Sequence, residues 1–131
     1  PDSTDAVIIL TNSLDRILEI NEEEMYAVVE PGVITCDLAA AVAARGLFYP
    51  PDPGSMSVST MGGNIAENSG GLRGLKYGTT KKYVMGLEVL TETGERPGLA
   101  AGGASTATTS PNCSSPRKAR WHLPARPSSN W

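Results

Sequence analysis

The chain has 131 residues, 40% of them hydrophobic, and a formal net charge of −3, which is room for one domain of ordinary size. No apolar run is long enough to span a membrane, the opening residues PDSTD do not read as a secretory leader, and Cys36 and Cys113 form neither a disulfide framework nor a metal-binding spacing, which fits a reducing cytoplasm. The charge is split: all 14 acidic groups and 6 of the 11 basic ones precede residue 96, leaving −8 there and +5 in the remainder.

Val7–Leu10 is a short apolar run with β-branched residues, expected to be a buried strand. Ile17–Ile20 and Tyr26–Glu30 read as two more strands, joined by the acidic link Asn21–Glu24. An antiparallel pair is the simplest topology, because a parallel crossover needs far more chain. Glu22–Glu24 then form a solvated turn. Pro31 and Gly32 end the second strand, and an alanine-rich helix follows from about Cys36 to Arg45. Thr35 is its expected cap, Asp37 sits near its positive end, and Gly46 stops it. Leu38, Ala41, Val42 and Arg45 share one side at helical spacing. Cys36 reads as a buried small residue, although a thiolate is favoured near a helix start.

Residues Pro50–Gly78, PPDPGSMSVSTMGGNIAENSGGLRGLKYG, are too rich in Gly, Pro, Ser and Asn for a strand or a long helix. Two pairs, Gly62-Gly63 and Gly70-Gly71, flank Asn64–Asn68. Glycine lets a backbone come close to a ligand. Ser57, Ser59 and Thr60 precede a possible short helix, where hydroxyls cap and free N–H groups point outward, an arrangement that suits a phosphate. The plainer alternative is a surface loop of turn residues. Fixed φ at Pro50, Pro51 and Pro53 lowers the entropy lost when the loop orders. Tyr83–Thr91 is an expected core strand, and Thr93-Gly94 begins a turn.

From Arg96 the composition changes. The remaining residues contain no Val, Ile, Met, Phe or Tyr, and such a segment is expected to be disordered. Its basic residues near Trp121 form a pattern too common to argue for nucleic-acid binding. His122 and Cys113 lie in this segment without a Ser/His/Asp or metal constellation and receive no role.

PPDPGS, STMGGNIAENSGG, LKYG and YVMGLEVL, in this order after VVEPGV and its helix, resemble the FAD-binding domain of FAD-linked oxidases of the p-cresol methylhydroxylase and vanillyl-alcohol oxidase type. The resemblance runs from about Val7 to Glu95 and is nearest in wording to glycolate oxidase flavoprotein subunits and D-lactate dehydrogenases. It implies FAD as cofactor and an α+β fold: part of a PCMH-type FAD-binding domain, with a small mixed or antiparallel sheet, one main helix, a Gly/Pro-rich cofactor loop and a disordered tail. It implies that Pro53, Gly54 and Ser55 approach the cofactor, and that Thr60, Gly62, Gly63 and Asn64 supply hydrogen bonds near the pyrophosphate. Asn68, Gly70 and Gly71 line the flavin side, and Tyr77 and Gly78 close it. Arg73 and Lys76 meet phosphate or face solvent. Without a ligand, each glycine is a backbone turn and each asparagine caps its own loop.

Intact members of the family oxidise a 2-hydroxy acid such as glycolate or D-lactate and pass the electrons to an acceptor, in some cases with partner subunits. The resemblance implies that this chain begins after the family's Arg-Gly-Gly-Gly-Thr type loop and lacks the substrate domain. Residues 1–95 are then a partial FAD-binding domain, inactive alone, with no catalytic residue, no metal and no nucleic-acid partner. The alternative is a non-catalytic nucleotide- or phosphate-binding module with a disordered basic tail. In the family a returning strand follows the Thr93-Gly94 turn, which residues 96–131 do not resemble. The family continues with Gly-Tyr-Asp-Leu and a segment like Gly-Ser-Glu-Gly-Thr-Leu. One permitted codon string for Ala107–Ser115, read in another frame, encodes Gly-Tyr-Asp-Leu-Thr-Glu-Leu-Leu-Val, and Lys118–Trp121 can hide Glu-Gly-Thr-Leu. Residues 96–131 are therefore expected to be the product of a reading-frame shift.

Overall fold

A tight acidic hairpin forms one edge of the sheet. The computed structural model describes residues 10–72, 74–91, 98–100 and 113–124. Strands β1 (Ile17–Asn21) and β2 (Tyr26–Val29) pair antiparallel, with Ile20 opposite Ala27 and Asn21 opposite Tyr26. The Asn21 side-chain oxygen accepts from the Glu24 N–H at 2.9 Å, and Met25 takes a left-handed φ of 55°. Both devices turn the chain within the link that the sequence marks as acidic. Of the expected strand Val7–Leu10, residues 7–9 lie outside the described residues, and Leu10 is 76% exposed and not in a strand.

Helix α1 (Thr35–Ala43) buries Thr35, Leu38 and Val42, a stripe at spacings of three and four. Gly46, at φ 75°, lets the chain turn back, and the Leu47 N–H reaches the Val42 carbonyl at 3.0 Å. Two expectations are corrected here. Thr35 is not the cap: Ile34 occupies that position with extended backbone and no side-chain cap bond, while the Thr35 hydroxyl bonds away from the helix to the Ser59 carbonyl at 3.0 Å. Cys36 is exposed rather than buried, because it stands one residue off the buried stripe, about 100° around the helix.

The Gly/Pro-rich segment carries two short helices, α2 (Met61–Glu67) and α3 (Gly74–Tyr77), and a 3-10 turn at Thr80–Lys82. Strand β3 (Val84–Thr91) follows, with β4 (Gly98–Ala100) and β5 (Cys113–His122) completing a five-stranded sheet in the order β1-β2-β5-β3-β4. Its pairings are antiparallel. Leu38, Val42, Met61 and Ile65 pack with Ala27, Val29, Val84, Leu87, Val89 and Ala119 into one core, so α1 and α2 join the sheet around a shared apolar interior.

The expected disorder of residues 96–131, and the absence of a returning strand, do not hold for residues 98–100 and 113–124. Strand β5 sits between β2 and β3, placing Ala119 opposite both Val29 and Leu87. The reason is physical. A ladder is made by backbone groups, and the facing edges of β2 and β3 accept any extended segment. Pro116 falls where β5 pairs with β3 beyond the end of the β2 pairing, at a register irregularity, so its missing N–H is tolerated. Ala119 and Leu123 are buried, and Lys118 meets Glu88 at 3.3 Å. The rest of 96–131 lies outside the described residues.

Candidate functional site

The segment expected to hold a cofactor folds as two loops joined by α2. The first, residues 50–60, leaves the core through buried Pro50, Pro51 and Pro53 and coils on itself: Met56 N–H bonds to the Pro53 carbonyl at 3.0 Å, and Val58 and Ser59 N–H bond to the Ser55 carbonyl at 2.9 and 2.7 Å. Gly54, Ser55 and Ser57 are exposed on this coil. The second loop, residues 68–79, runs back past the first. At Gly71 the two touch so closely that an added Cβ would overlap the Asp52 carbonyl. Phe48 and Tyr77 meet edge to face nearby, ring centroids 5.7 Å apart. The two loops therefore present one joint surface.

The structure divides the expected site residues by what each already does. Thr60 caps α2 as expected, accepting from the Gly63 N–H at 3.2 Å. Gly62 lies against Pro31, its N–H bonded to the Pro31 carbonyl at 2.8 Å. Asn64 points inward and is 1% exposed, its side-chain amide donating to the Thr35 hydroxyl at 2.7 Å. Asn68 closes α2 in a left-handed conformation at φ 49° and accepts the Lys81 N–H at 3.0 Å. Gly70 lies beside Thr79, and Gly78 takes φ 86°, a conformation that excludes most side chains. Tyr77 accepts the Tyr83 hydroxyl on its carbonyl at 2.6 Å, and Lys76 stands 5.3 Å over its ring. Arg73 lies outside the described residues. Gly54, Ser55, Gly63 and Gly71 are exposed, as is the neighbouring Ser57.

Gly54 bears on whether these residues suit a dinucleotide. Nothing lies within 4 Å of a Cβ placed there, and its φ is outside the left-handed range. The fold itself does not demand a glycine at this position. Together with the neighbouring hydroxyls it offers a bare backbone and neutral hydrogen-bonding groups, a donor set that fits the polar edge of a phosphate-bearing cofactor.

Three features escape the sequence reading. The Thr35 hydroxyl lies 2.9 Å from the Ser59 hydroxyl as well as bonding to Asn64, making a buried polar chain across residues far apart in sequence. Tyr49 is only 4% exposed, and burial pushes its phenol well above the usual range while Asn64 and Thr80 at its hydroxyl act in the opposite direction. A cavity of about 320 Å³ lies between α1 and the first loop, lined by Ala39, Ala43, Leu47, Phe48, Pro51 and Met56 among others. Its only sequence signal is the Ala39/Ala43 pair at i, i+4, which leaves room beside the helix. Among the described residues no group of His, Cys, Asp and Glu could hold a metal ion, and no helix is long and apolar enough to cross a membrane.

The fold and site together are those of an antiparallel sheet packed on helix α1 and carrying two apposed glycine-rich loops. The chain belongs to the FAD binding domain family, which matches residues 1–96. It is 60% identical over 89 residues to glycolate oxidase subunit GlcD of Bacillus subtilis, covering 68% of this chain and 19% of that protein. It is 42% identical over 89 residues to a D-lactate dehydrogenase of Anaerostipes hadrus, covering 68% and 18%. Over the same length it is 39% identical to a D-2-hydroxyglutarate dehydrogenase of Stutzerimonas stutzeri, covering 68% and 19%. The chain thus spans about a fifth of the length of the curated relatives it matches. A solved structure of alkyldihydroxyacetonephosphate synthase shares the fold, with a TM-score of 0.77 at 24% identity over 90% of this chain and 24% of that one. The cofactor of this family is FAD, as the sequence reading implied.

Proposed function

We propose that this chain is the FAD-holding part of a flavin-dependent oxidoreductase that oxidises a 2-hydroxy acid such as glycolate or D-lactate. The observation that carries the reading is the apposed loop pair 50–60 and 68–79, with Gly54 bare and Ser55 exposed, inside a stretch 60% identical to a glycolate oxidase subunit. FAD, when bound, supplies the acceptor for the hydride equivalent leaving the α-carbon of the hydroxy acid. The chain's own residues place it. Pro53, Gly54 and Ser55 face the cofactor from the first loop, with Thr60 and Gly63 at the start of α2. Gly70, Gly71, Tyr77 and Gly78 set the second loop against the first, and Gly62, Asn64 and Asn68 hold α2 beneath both. No residue here is assigned the removal of the substrate proton. That work, the electron acceptor and any partner subunits belong to the remainder of the intact enzyme, which we place in the cytoplasm.

We assign residues 1–95 to this FAD-binding part and residues 96–131 to a shifted reading frame. The family match ending at residue 96 and the change of charge there support that division. The segment's place in the sheet is compatible with it, because strand pairing uses backbone groups that any sequence carries.

Titration of the purified chain with FAD, followed by flavin fluorescence and the visible absorption band, tests the cofactor. Binding without turnover of glycolate, D-lactate or D-2-hydroxyglutarate with a dye acceptor is the expected result. Turnover by the chain alone overturns the assignment of chemistry to the remainder, and absence of FAD binding overturns the cofactor role of these loops. Sequencing the coding DNA across residues 94–131 and beyond tests the frame: a one-base change that restores Gly-Tyr-Asp-Leu and a long downstream frame is expected, and an intact frame refutes the assignment.

A further inference from the structure

Building on the flavin reading, we propose that Asn64 is a positioning residue which, with Thr35 and Thr80, forms a buried polar strut holding the two cofactor loops in register. Asn64 is central to the motif that the family resemblance assigns to cofactor contact, yet at 1% exposure its side chain reaches nothing outside the fold. It acts on a ligand only through what it touches.

The contacts run in two directions. Toward the first loop, the Asn64 amide donates to the Thr35 hydroxyl at 2.7 Å, and that hydroxyl donates to the Ser59 carbonyl at 3.0 Å. Toward the second loop, the Asn64 backbone carbonyl accepts the Ser69 N–H at 2.9 Å, and the Ser69 carbonyl accepts both the Thr80 hydroxyl at 2.8 Å and the Thr80 N–H at 3.0 Å. Thr35, Asn64 and Thr80 are all more than nine-tenths buried. Water cannot replace a broken link there, so a change at one end is felt at the other. A surface loop with only its own turn bonds has no such connection.

The test uses Thr35→Val, Thr35→Ser and Thr80→Val in the purified chain, each checked by circular dichroism to be folded at the temperature used. FAD affinity is read by flavin fluorescence, and backbone order by amide hydrogen exchange over residues 53–60 and 68–80. Thr35→Val is expected to weaken FAD binding at least tenfold and to speed exchange in both segments, while Thr35→Ser, which keeps the hydroxyl, restores both. Thr80→Val, which removes the hydroxyl bonded to the Ser69 carbonyl, speeds exchange around Ser69 and is the working variant where Thr35→Val does not fold. Wild-type FAD affinity in folded Thr35→Val overturns the proposal, as does exchange that rises in 53–60 alone. Where the unsubstituted chain itself binds no FAD, it is the flavin reading that fails. The strut is then judged on exchange: faster exchange in both segments supports it, and a change confined to one overturns it.

Discussion

Replacing Gly71 by alanine separates the two explanations for a glycine in a cofactor loop. At this position a methyl group would overlap the Asp52 carbonyl and approach the Pro53 nitrogen at 2.9 Å. Those are backbone atoms, held by the buried Pro51 and Pro53, and cannot swing aside like the end of a long side chain. One loop must move, and forcing a methyl into such a contact costs about 1–3 kcal/mol. At Gly54 an added methyl meets nothing within 4 Å and φ is outside the left-handed range. Alanine there leaves stability unchanged or raises it by about 0.4–1 kcal/mol through the unfolded chain. Urea unfolding followed by far-UV circular dichroism measures both. With a slope of about 1–3 kcal/mol per molar urea, Gly71→Ala lowers the midpoint by roughly 1 M, and Gly54→Ala does not lower it. On the proposed placement of FAD, affinity runs the other way: Gly54→Ala is expected to weaken binding more than its stability predicts, because the methyl would stand where the cofactor approaches the backbone. An unchanged midpoint in Gly71→Ala refutes the close approach of the loops, and wild-type FAD affinity in Gly54→Ala removes that residue from the site.

Leu38→Ala deletes a fully buried side chain where α1 meets the core, and is expected to cost about 2–5 kcal/mol in the same urea assay. Stability falls at alkaline pH through Tyr49. Its phenol is pushed up by burial, so the folded chain keeps its proton while the unfolded chain releases it near pH 10, the ordinary tyrosine value. The contribution is complete below about pH 10 and is lost as pH rises toward the folded value, and Tyr49→Phe flattens this limb in unfolding curves measured from pH 8 upward. Deleting residues 96–131 removes β4 and β5, opening the β2 edge that faced β5 and both edges of β3. The shortened chain is expected to associate on gel filtration and lose cooperative unfolding, and a monomeric, cooperative 1–95 fragment would refute a structural role for β5.

The hairpin, α1 and β3 are legible in the sequence because each rests on local chemistry. Strand-forming residues flank an acidic turn, alanines end at a glycine, and Tyr83–Thr91 is rich in Val, Leu and Met. The cap on α2 is legible for the same reason: Thr60 and Gly63 stand three apart, the spacing of the bond they make. Thr35 shows where local reading stops. It has the chemistry of a cap and the right place in sequence, but its hydroxyl bonds to Ser59, 24 residues away, and no local rule anticipates that choice. Cys36 fails by a single residue, since helical phase decides burial and an error of one position turns a side chain from the core to solvent.

The tail fails for a different reason, and the difference bears on function. Composition judges whether a segment can bury enough apolar surface to order itself, and by that measure residues 96–131 cannot. Strand β5 does not have to. Its neighbours β2 and β3 are already fixed by the core of α1 and α2, so it needs only extended backbone and a few small or apolar residues, which Ala119 within it and Leu123 just after it supply. The cofactor loops are the reverse case. Their composition also reads as unstructured, but they are ordered by specific contacts: Gly71 on Asp52, Thr35 on Ser59, Asn64 between them. A strand filling a gap in a sheet tolerates replacement of nearly every side chain, whereas the loops depend on particular glycines and hydroxyls. The match to the FAD binding domain family follows that distinction, running through both loops and ending at residue 96, before β4 and β5 begin.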